Sequence, residues 1–331
     1  MSVNIYYANG RIAVLSNKLF GAEKFTRIAE SATAEEALKV LFESSYGNGL
    51  VIDNANDYEL LLKAELSATV DLVKELSTNA HVTRYFLSKY DYLNAKVLMK
   101  CKYMRIDGKE NCFECASVPV EVMQKTINAD DYTAFTPYMA KALEYVDEQF
   151  SLGNRSPRVI DVALDKAYYD QLANSAKKSK LSTLVAYHKY DVDTVNLMTL
   201  YRCKKAGLDK STYQDMVVAG GTIEQQTLLK VWDVTDSSKV CELVGGGDTY
   251  KKFVNVLLAG YEAGSLAKAE EFANARKHAM LTQNPDTLTI APLIAYFKNK
   301  TDEIDKIRFA FIGIKNDVDK ETIKERLKGN A

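Results

Sequence analysis

The chain has 331 residues, 47% of them hydrophobic, with 43 Lys and Arg against 44 Asp and Glu. That apolar content can offset the ordering entropy of folding and excludes a disordered chain. The near-zero net charge excludes a whole-molecule field that would draw the protein to nucleic acid or to an acidic membrane. No stretch approaches the ~18 consecutive apolar residues of a bilayer span, and the longest apolar patches, such as Phe253 to Ala259, are core-sized. Five cysteines (Cys101, Cys112, Cys115, Cys203 and Cys241) are an odd number. With an amino terminus that lacks the stages of a signal peptide, they predict a reducing, cytoplasmic setting. Only 5 prolines and 16 glycines interrupt long stretches of Ala, Leu, Glu and Lys, so the predicted fold class is all-α.

Near the start, Arg11 to Leu15 alternates closely enough to pass as strand or helix. Next, Ala34, Ala37, Leu38 and Leu41 fall at i, i+3, i+4 and i+7, with Glu35, Glu36 and Lys39 opposite. Thr33 is the predicted N-cap of that helix and Glu36 completes its capping box. Ser156-Pro157 places a capping hydroxyl before the residue best suited to the first helical position, ahead of a stripe of Ile160, Ala163, Leu164 and Ala167. Ile307 to Phe311 repeats the early ambiguity. Asp319 then reads as the N-cap of a last helix with Ile323 and Leu327 on its apolar side, and Val318 and Ile323 as its hydrophobic staple.

An internal repeat decides the ambiguous segments. Asp91, Asn94, Leu98, Lys100, Cys101 and Lys102 recur 102 residues later as Asp193, Asn196, Leu200, Arg202, Cys203 and Lys204, and Tyr85 and Tyr187 share the offset. In a weaker copy Glu303, Ile307 and Arg308 take the places of Asp91, Ala95 and Lys96, and Asn9-Gly-Arg11-Ile12 is a fourth trace. Four marks imply three intervening units of several helices each, roughly 9–93, 94–195 and 196–305, with 306–331 closing onto the first. Asp and Asn suit the start of a helix, where they accept from unpaired backbone N–H groups. A structural role for Asp91, Asn94, Asp193 and Asn196 is therefore expected rather than a binding one, with the basic residues that follow lining an exposed edge.

Motifs of chemistry are absent or incomplete. Gly245-Gly246-Gly247-Asp248-Thr249 has no Lys-Ser/Thr and no preceding strand, so it reads as a loop before a helix capped by Asp248 or Thr249, not as a phosphate cradle. Gly220-Gly221-Thr222 reads as a helix end followed by a new N-cap. Cys112-Phe-Glu-Cys115 has the spacing of a zinc or redox pair, but no second pair of ligands accompanies it, and His81, His188 and His278 stand far apart. No nucleophile elbow or metalloprotease helix occurs. The basic, aromatic segment from Lys89 to Arg105 is read as a solvated helix face rather than a nucleic-acid site. No catalytic residue, cofactor or metal is expected.

Several stretches resemble the C-subunit family of V/A-type ATPases (ATP synthases), whose eukaryotic relative is the V-ATPase d subunit. They are Lys89 to Lys102, Leu164 to Tyr169, Asp193 to Leu197 with Arg202 to Lys204, and Pro292 to Phe297 with Glu303, Ile304, Ile307 and Arg308 before Gly313 and Lys315; Arg11 and the Tyr46-Gly47 loop complete the order. The resemblance spans essentially the whole chain, as one domain of this family over 1–331. It implies an all-α fold of three similar helical modules around a pseudo-threefold axis, forming a funnel or socket. It also implies a non-enzymatic central-stalk rotor protein, whose partners are the shaft of the soluble ATP-hydrolysing sector and the membrane ring of ion-binding subunits, for proton or sodium transport. The protein would then sit peripherally at the cytoplasmic face of the membrane, with no span of its own and no nucleic-acid partner. An unrelated helical-repeat scaffold and an unrecognised helical enzyme are the alternatives.

Overall fold

A computed structural model of the protein describes residues 4–328. Among these there are sixteen α-helices and no strand: α1 Ile5–Ser16, α2 Ala22–Glu30, α3 Ala34–Glu43, α4 Tyr58–Leu76, α5 Ala80–Met104, α6 Val120–Asn128, α7 Pro137–Ser151, α8 Pro157–Ser179, α9 Ser182–Lys205, α10 Lys210–Met216, α11 Gln225–Trp232, α12 Ser237–Val244, α13 Gly247–Glu262, α14 Ala267–Thr282, α15 Ala291–Lys315 and α16 Lys320–Lys328. The all-α expectation holds, and both ambiguous segments are helical, within α1 and α15.

The helix starts follow from their capping chemistry. Thr33 Oγ1 accepts from Glu36 N at 3.3 Å, and the Glu36 carboxylate reaches back to Ala32 N at 2.8 Å, one residue beyond the donor of a capping box. Ser156 Oγ accepts from Arg158 N ahead of a helix with Pro157 at N1, and Asp319 Oδ2 accepts from Thr322 N at 3.1 Å. The predicted stripe on α8 is the buried one: Ile160, Ala163, Leu164 and Ala167 all face the core.

The chain forms two compact units, Met1–Thr83 with Leu281–Ala331, and Arg84–Met280. In the first, α15 lies against α1, α2, α3, α4 and α16. Its buried side includes Ile304, Ile307 and Phe311, and the Phe311 ring stacks on Tyr58 at 4.7 Å. The second unit holds two apolar cores. Leu98, Met99, Met123, Ile127, Leu143, Val146, Ile160 and Leu164 gather α5 to α8 around one of them. Leu197, Leu200, Tyr213, Leu228, Val231, Phe253 and Leu257 gather α9 to α13 around the other, which α14 completes with Ala269 and Ala273. The residues proposed as repeat limits, near 93, 195 and 305, fall inside α5, α9 and α15, so these long helices pass through the sequence boundaries.

Candidate functional site

Asp91 and Asn94 do not start a helix; they sit in the middle of α5, as Asp193 and Asn196 sit in the middle of α9. This corrects the reading of these residues as caps of their own helices. One turn apart, they share a face, and each pair clasps a loop that lies later in the chain. Asn94 Oδ1 accepts from Phe113 N at 2.7 Å while its Nδ2 donates to Phe113 O at 2.8 Å. Asp91 accepts from Ser117 N and Ser117 Oγ, both at 2.7 Å, and from Val118 N at 3.2 Å. The second pair does the same. Asn196 exchanges two bonds with the backbone of Val218, at 3.0 and 2.9 Å, and Asp193 accepts from Thr222 N and Ile223 N at 2.9 Å and from Tyr250 Oη at 2.6 Å. Burial, and next the Asp193 carboxylate, push the Tyr250 phenol up, which keeps it a donor.

The Gly220-Gly221 pair belongs to this second clamp and is neither a helix end nor followed by an N-cap. The next helix starts only at Gln225, after Glu224. A Cβ on Gly221 would lie 2.2 Å from Asp193 Oδ1 and 3.0 Å from Val192 Cγ1, so glycine lets the backbone come within reach of the carboxylate. Gly221→Ala is expected to lose about 2–3 kcal/mol by overpacking, read from urea unfolding. Unchanged stability would mean that the loop is not held against Asp193.

Where α5 and α9 approach each other, Tyr85 and Tyr187, the pair sharing the repeat offset, meet edge to face at 6.2 Å. Tyr85 Oη is 3.3 Å from Nδ1 of His188, which is buried. Burial lowers the His188 pKa, with Asp191 and Asp193 opposing it more weakly. A depressed folded pKa means stability that is complete above the ordinary value of 6.5 and is lost as pH falls below it. His188→Gln should therefore flatten the stability profile of the protein below about pH 6.5. A profile as steep as that of the native protein would place the acid sensitivity elsewhere.

The third copy of the motif uses different chemistry. Glu303 is buried in α15, and its Oε2 accepts from the backbone N of Phe20 at 2.5 Å. Lys300, also buried, lies 2.6 Å from both Glu303 Oε1 and Glu65 Oε1, while Glu65 Oε2 accepts from Gly47 N at 2.9 Å. The Lys300 ammonium sits 4.5 Å from the centre of the Tyr46 ring. Gly47 has φ +86°, and a Cβ there would be 2.6 Å from Leu61 Cδ2, so the Tyr46-Gly47 loop needs glycine twice over. Asn9, the fourth trace, donates from Nδ2 to the carbonyls of Thr287 and Thr289 at 2.7 and 3.0 Å.

A sequence profile of the ATP synthase (C/AC39) subunit family matches residues 8–326. The chain belongs to that family. It is 24% identical to the C subunit of the A-type ATP synthase of Thermococcus kodakarensis, across 96% of this chain and 89% of that protein. It is 26% identical to the corresponding protein of Methanosarcina acetivorans (98% and 92%) and 22% identical to that of Methanococcoides burtonii (98% and 94%).

In this member of the ATP synthase (C/AC39) subunit family Lys96, Lys100, Lys102, Arg202 and Arg308 are ion-paired, which corrects the solvated-face reading for the middle of the Lys89 to Arg105 segment, while Lys89 and Arg105 at its ends are exposed. Lys96 Nζ meets Asp165 at 2.6 Å and Lys100 Nζ meets Asp161 at 2.8 Å, an α5–α8 ladder. Lys102 binds Asp130 and Asp147 at 2.5 and 3.1 Å. Arg202 on α9 reaches Glu270 on α14 at 3.1 Å. Arg308 on α15 holds Glu59 on α4 through Nε and Nη2, at 3.1 and 2.8 Å, and Asp305 through Nη1. In all three cases a long helix is tied to another by a cation on the motif side.

The remaining sequence features have structural positions. Cys112 and Cys115 are buried, Cys112 inside the α5–α8 core. Among the described residues no group of three or more His, Cys, Asp and Glu is placed to hold a metal, and no helix is long and apolar enough to cross a membrane. Gly245 and Gly246 precede α13 and Gly247 opens it, all three with positive φ. The helix begins at Gly247 with no side-chain cap, so Asp248 and Thr249 lie in its first turn and are not caps. Sequence reasoning missed the Lys300–Glu65–Glu303 cluster. Its signal was there: Lys300 falls in the apolar stripe Leu293, Phe297, Ile304, Ile307, where a lysine must find a counter-charge.

Proposed function

We propose that this chain is a non-catalytic central-stalk component of a V/A-type ATPase, joining the rotating shaft of the soluble ATP-hydrolysing sector to the membrane ring of ion-binding subunits for proton or sodium transport. The observation that carries the reading is membership of the ATP synthase (C/AC39) subunit family over residues 8–326. The proposal includes three helical modules around a pseudo-threefold axis, roughly 9–93, 94–195 and 196–305, closed by 306–331 and open as a socket to the shaft. The recurrent carboxylates support it, because Asp91, Asp193 and Glu303 each take backbone N–H groups from a separate loop. A torque link needs packed helices and interfaces that do not slip, and it needs no reactive group. Its place is peripheral, on the cytoplasmic face of the membrane, held there by its partners.

The test is affinity purification of a tagged copy from membranes solubilised in mild detergent. Shaft and ring proteins should co-purify in fixed proportion. Recovery of the tagged chain without any ATPase component would overturn the proposal.

A further inference from the structure

We propose that His188 is a proton-operated latch: acid releases the loop from Val217 to Gln225 that the second clamp holds, while the loop of the first clamp stays closed. The second loop is fastened at two points, by Asn196 to the backbone of Val218 and by Asp193 to Thr222 N and Ile223 N. Between them Gly220 comes down on the edge of the His188 imidazole, where a Cβ would lie 2.9 Å from Nε2. His188 is 3% exposed, and its buried Nε2 has no hydrogen-bond partner among the described residues. The other ring nitrogen, Nδ1, faces Tyr85 Oη on α5 at 3.3 Å. Val217 to Gln225 also line a cavity of about 270 Å³, so the loop has space beside it into which it can shift.

Neutral imidazole fits this setting and imidazolium does not. Protonation makes both ring nitrogens donors, and Nε2 then carries a charged N–H with no acceptor in hydrogen-bond reach. No ionisable side chain lies on the loop between Val217 and Ile223 to offset the charge. The groups facing the ring from α5 and α8 are the phenols of Tyr85 and Tyr169, both held neutral by burial. On α9 itself Asp191 and Asp193 favour the charge, but Asp191 is paired with Lys277 of α14 at 2.9 Å and Asp193 is occupied by the loop. Burial outweighs both carboxylates and lowers the His188 pKa. Lifting the loop lets water reach Nε2, so the open form takes up the proton more readily and acid shifts the population toward it.

The repeat supplies an internal comparison. At the offset of 102 residues the place of His188 is taken by Phe86, which carries no titrating proton. The first clamp fastens its loop by the same means, at Phe113 and Ser117. Acid release is thus a property of one copy. It rests on the clamps and is independent of the rotor role.

Hydrogen exchange of the full chain tests this, read by mass spectrometry at about pH 7.5 and about pH 5.5 and scaled for the intrinsic rate at each. Residues 217–225 should lose about three- to tenfold in protection at the lower pH, and residues 112–118 should change by less than about twofold. The comparison of the two loops within the native protein needs no variant. His188→Gln and His188→Phe should each abolish the acid response of 217–225, the second by installing the residue of the first copy. Circular dichroism checks folding, and one folded variant suffices. Tighter protection of 217–225 in acid, no change there, an equal loss in both loops, or a response that survives in a folded variant overturns the proposal.

Discussion

Asp193→Ala is expected to destabilise the second unit by about 4 kcal/mol. The carboxylate is fully buried and serves Thr222 N, Ile223 N and Tyr250 Oη. Alanine would leave buried Ile223 N and the half-buried Tyr250 Oη with no acceptor, at about 1–3 kcal/mol each, while Thr222, which is exposed, can turn its N–H to water. Asp193→Asn keeps the shape and one acceptor oxygen but loses the charge assistance, so about 2 kcal/mol is expected. Asp91→Ala should cost about 1–2 kcal/mol, since its donor Ser117 is exposed and can turn to solvent. The chain provides its own reporter. Trp232 is the only tryptophan and stacks on Tyr213 in the α9–α13 core at 5.4 Å, so its fluorescence in urea follows this region. A loss below about 1 kcal/mol for Asp193→Ala would show that the clamp is redundant.

Lys300→Met is expected to cost about 3–5 kcal/mol at neutral pH, because it leaves the Glu65 and Glu303 carboxylates facing each other in a buried site. Burial by itself depresses the Lys300 pKa, but Glu303 and Glu65 outweigh it and the net shift is upward. Its contribution is therefore complete below the ordinary value of 10.5 and lost only as pH rises through the higher folded value. The native cluster should be indifferent to pH between 6 and 9, within about 0.5 kcal/mol. The variant should instead gain stability as acid neutralises one carboxylate of the pair. Glu65→Gln and Glu303→Gln combined with Lys300→Met should recover most of the loss, since both amide oxygens can still accept from Gly47 N and Phe20 N. Denaturant titrations followed by circular dichroism at two pH values decide this. A triple variant no more stable than Lys300→Met would place the cost in packing rather than in charge.

The helical class was legible because composition and capping are local. Thr33, Ser156 and Asp319 mark helix starts through groups within four residues of them, and the structure places α3, α8 and α16 there. The Asp-x-x-Asn recurrence was also visible, but its meaning was not. A side chain that pairs with a loop 19 to 29 residues further on leaves no local trace of its partner. Asp and Asn then look like caps, the commonest use of those residues. Lys96 and Lys100 of α5 were misread for the same reason: Asp165 and Asp161 lie on α8, more than sixty residues away. The buried Lys300 cluster was legible in principle from the helical period, since the lysine interrupts an apolar stripe.

The two clamps also differ in one countable way. Asn94 reaches 19 residues ahead to Phe113 and Asn196 reaches 22 ahead to Val218, while Asp91 spans 26 residues to Ser117 and Asp193 spans 29 to Thr222. The second copy has absorbed three extra residues between helix and loop without altering what is clasped. Insertions are thus tolerated in one place and forbidden in another. A residue added to the linker after either long helix bulges outward at the small entropic cost of a longer loop. One added between Asp and Asn turns the second side chain about 100° off its face and unfastens the loop.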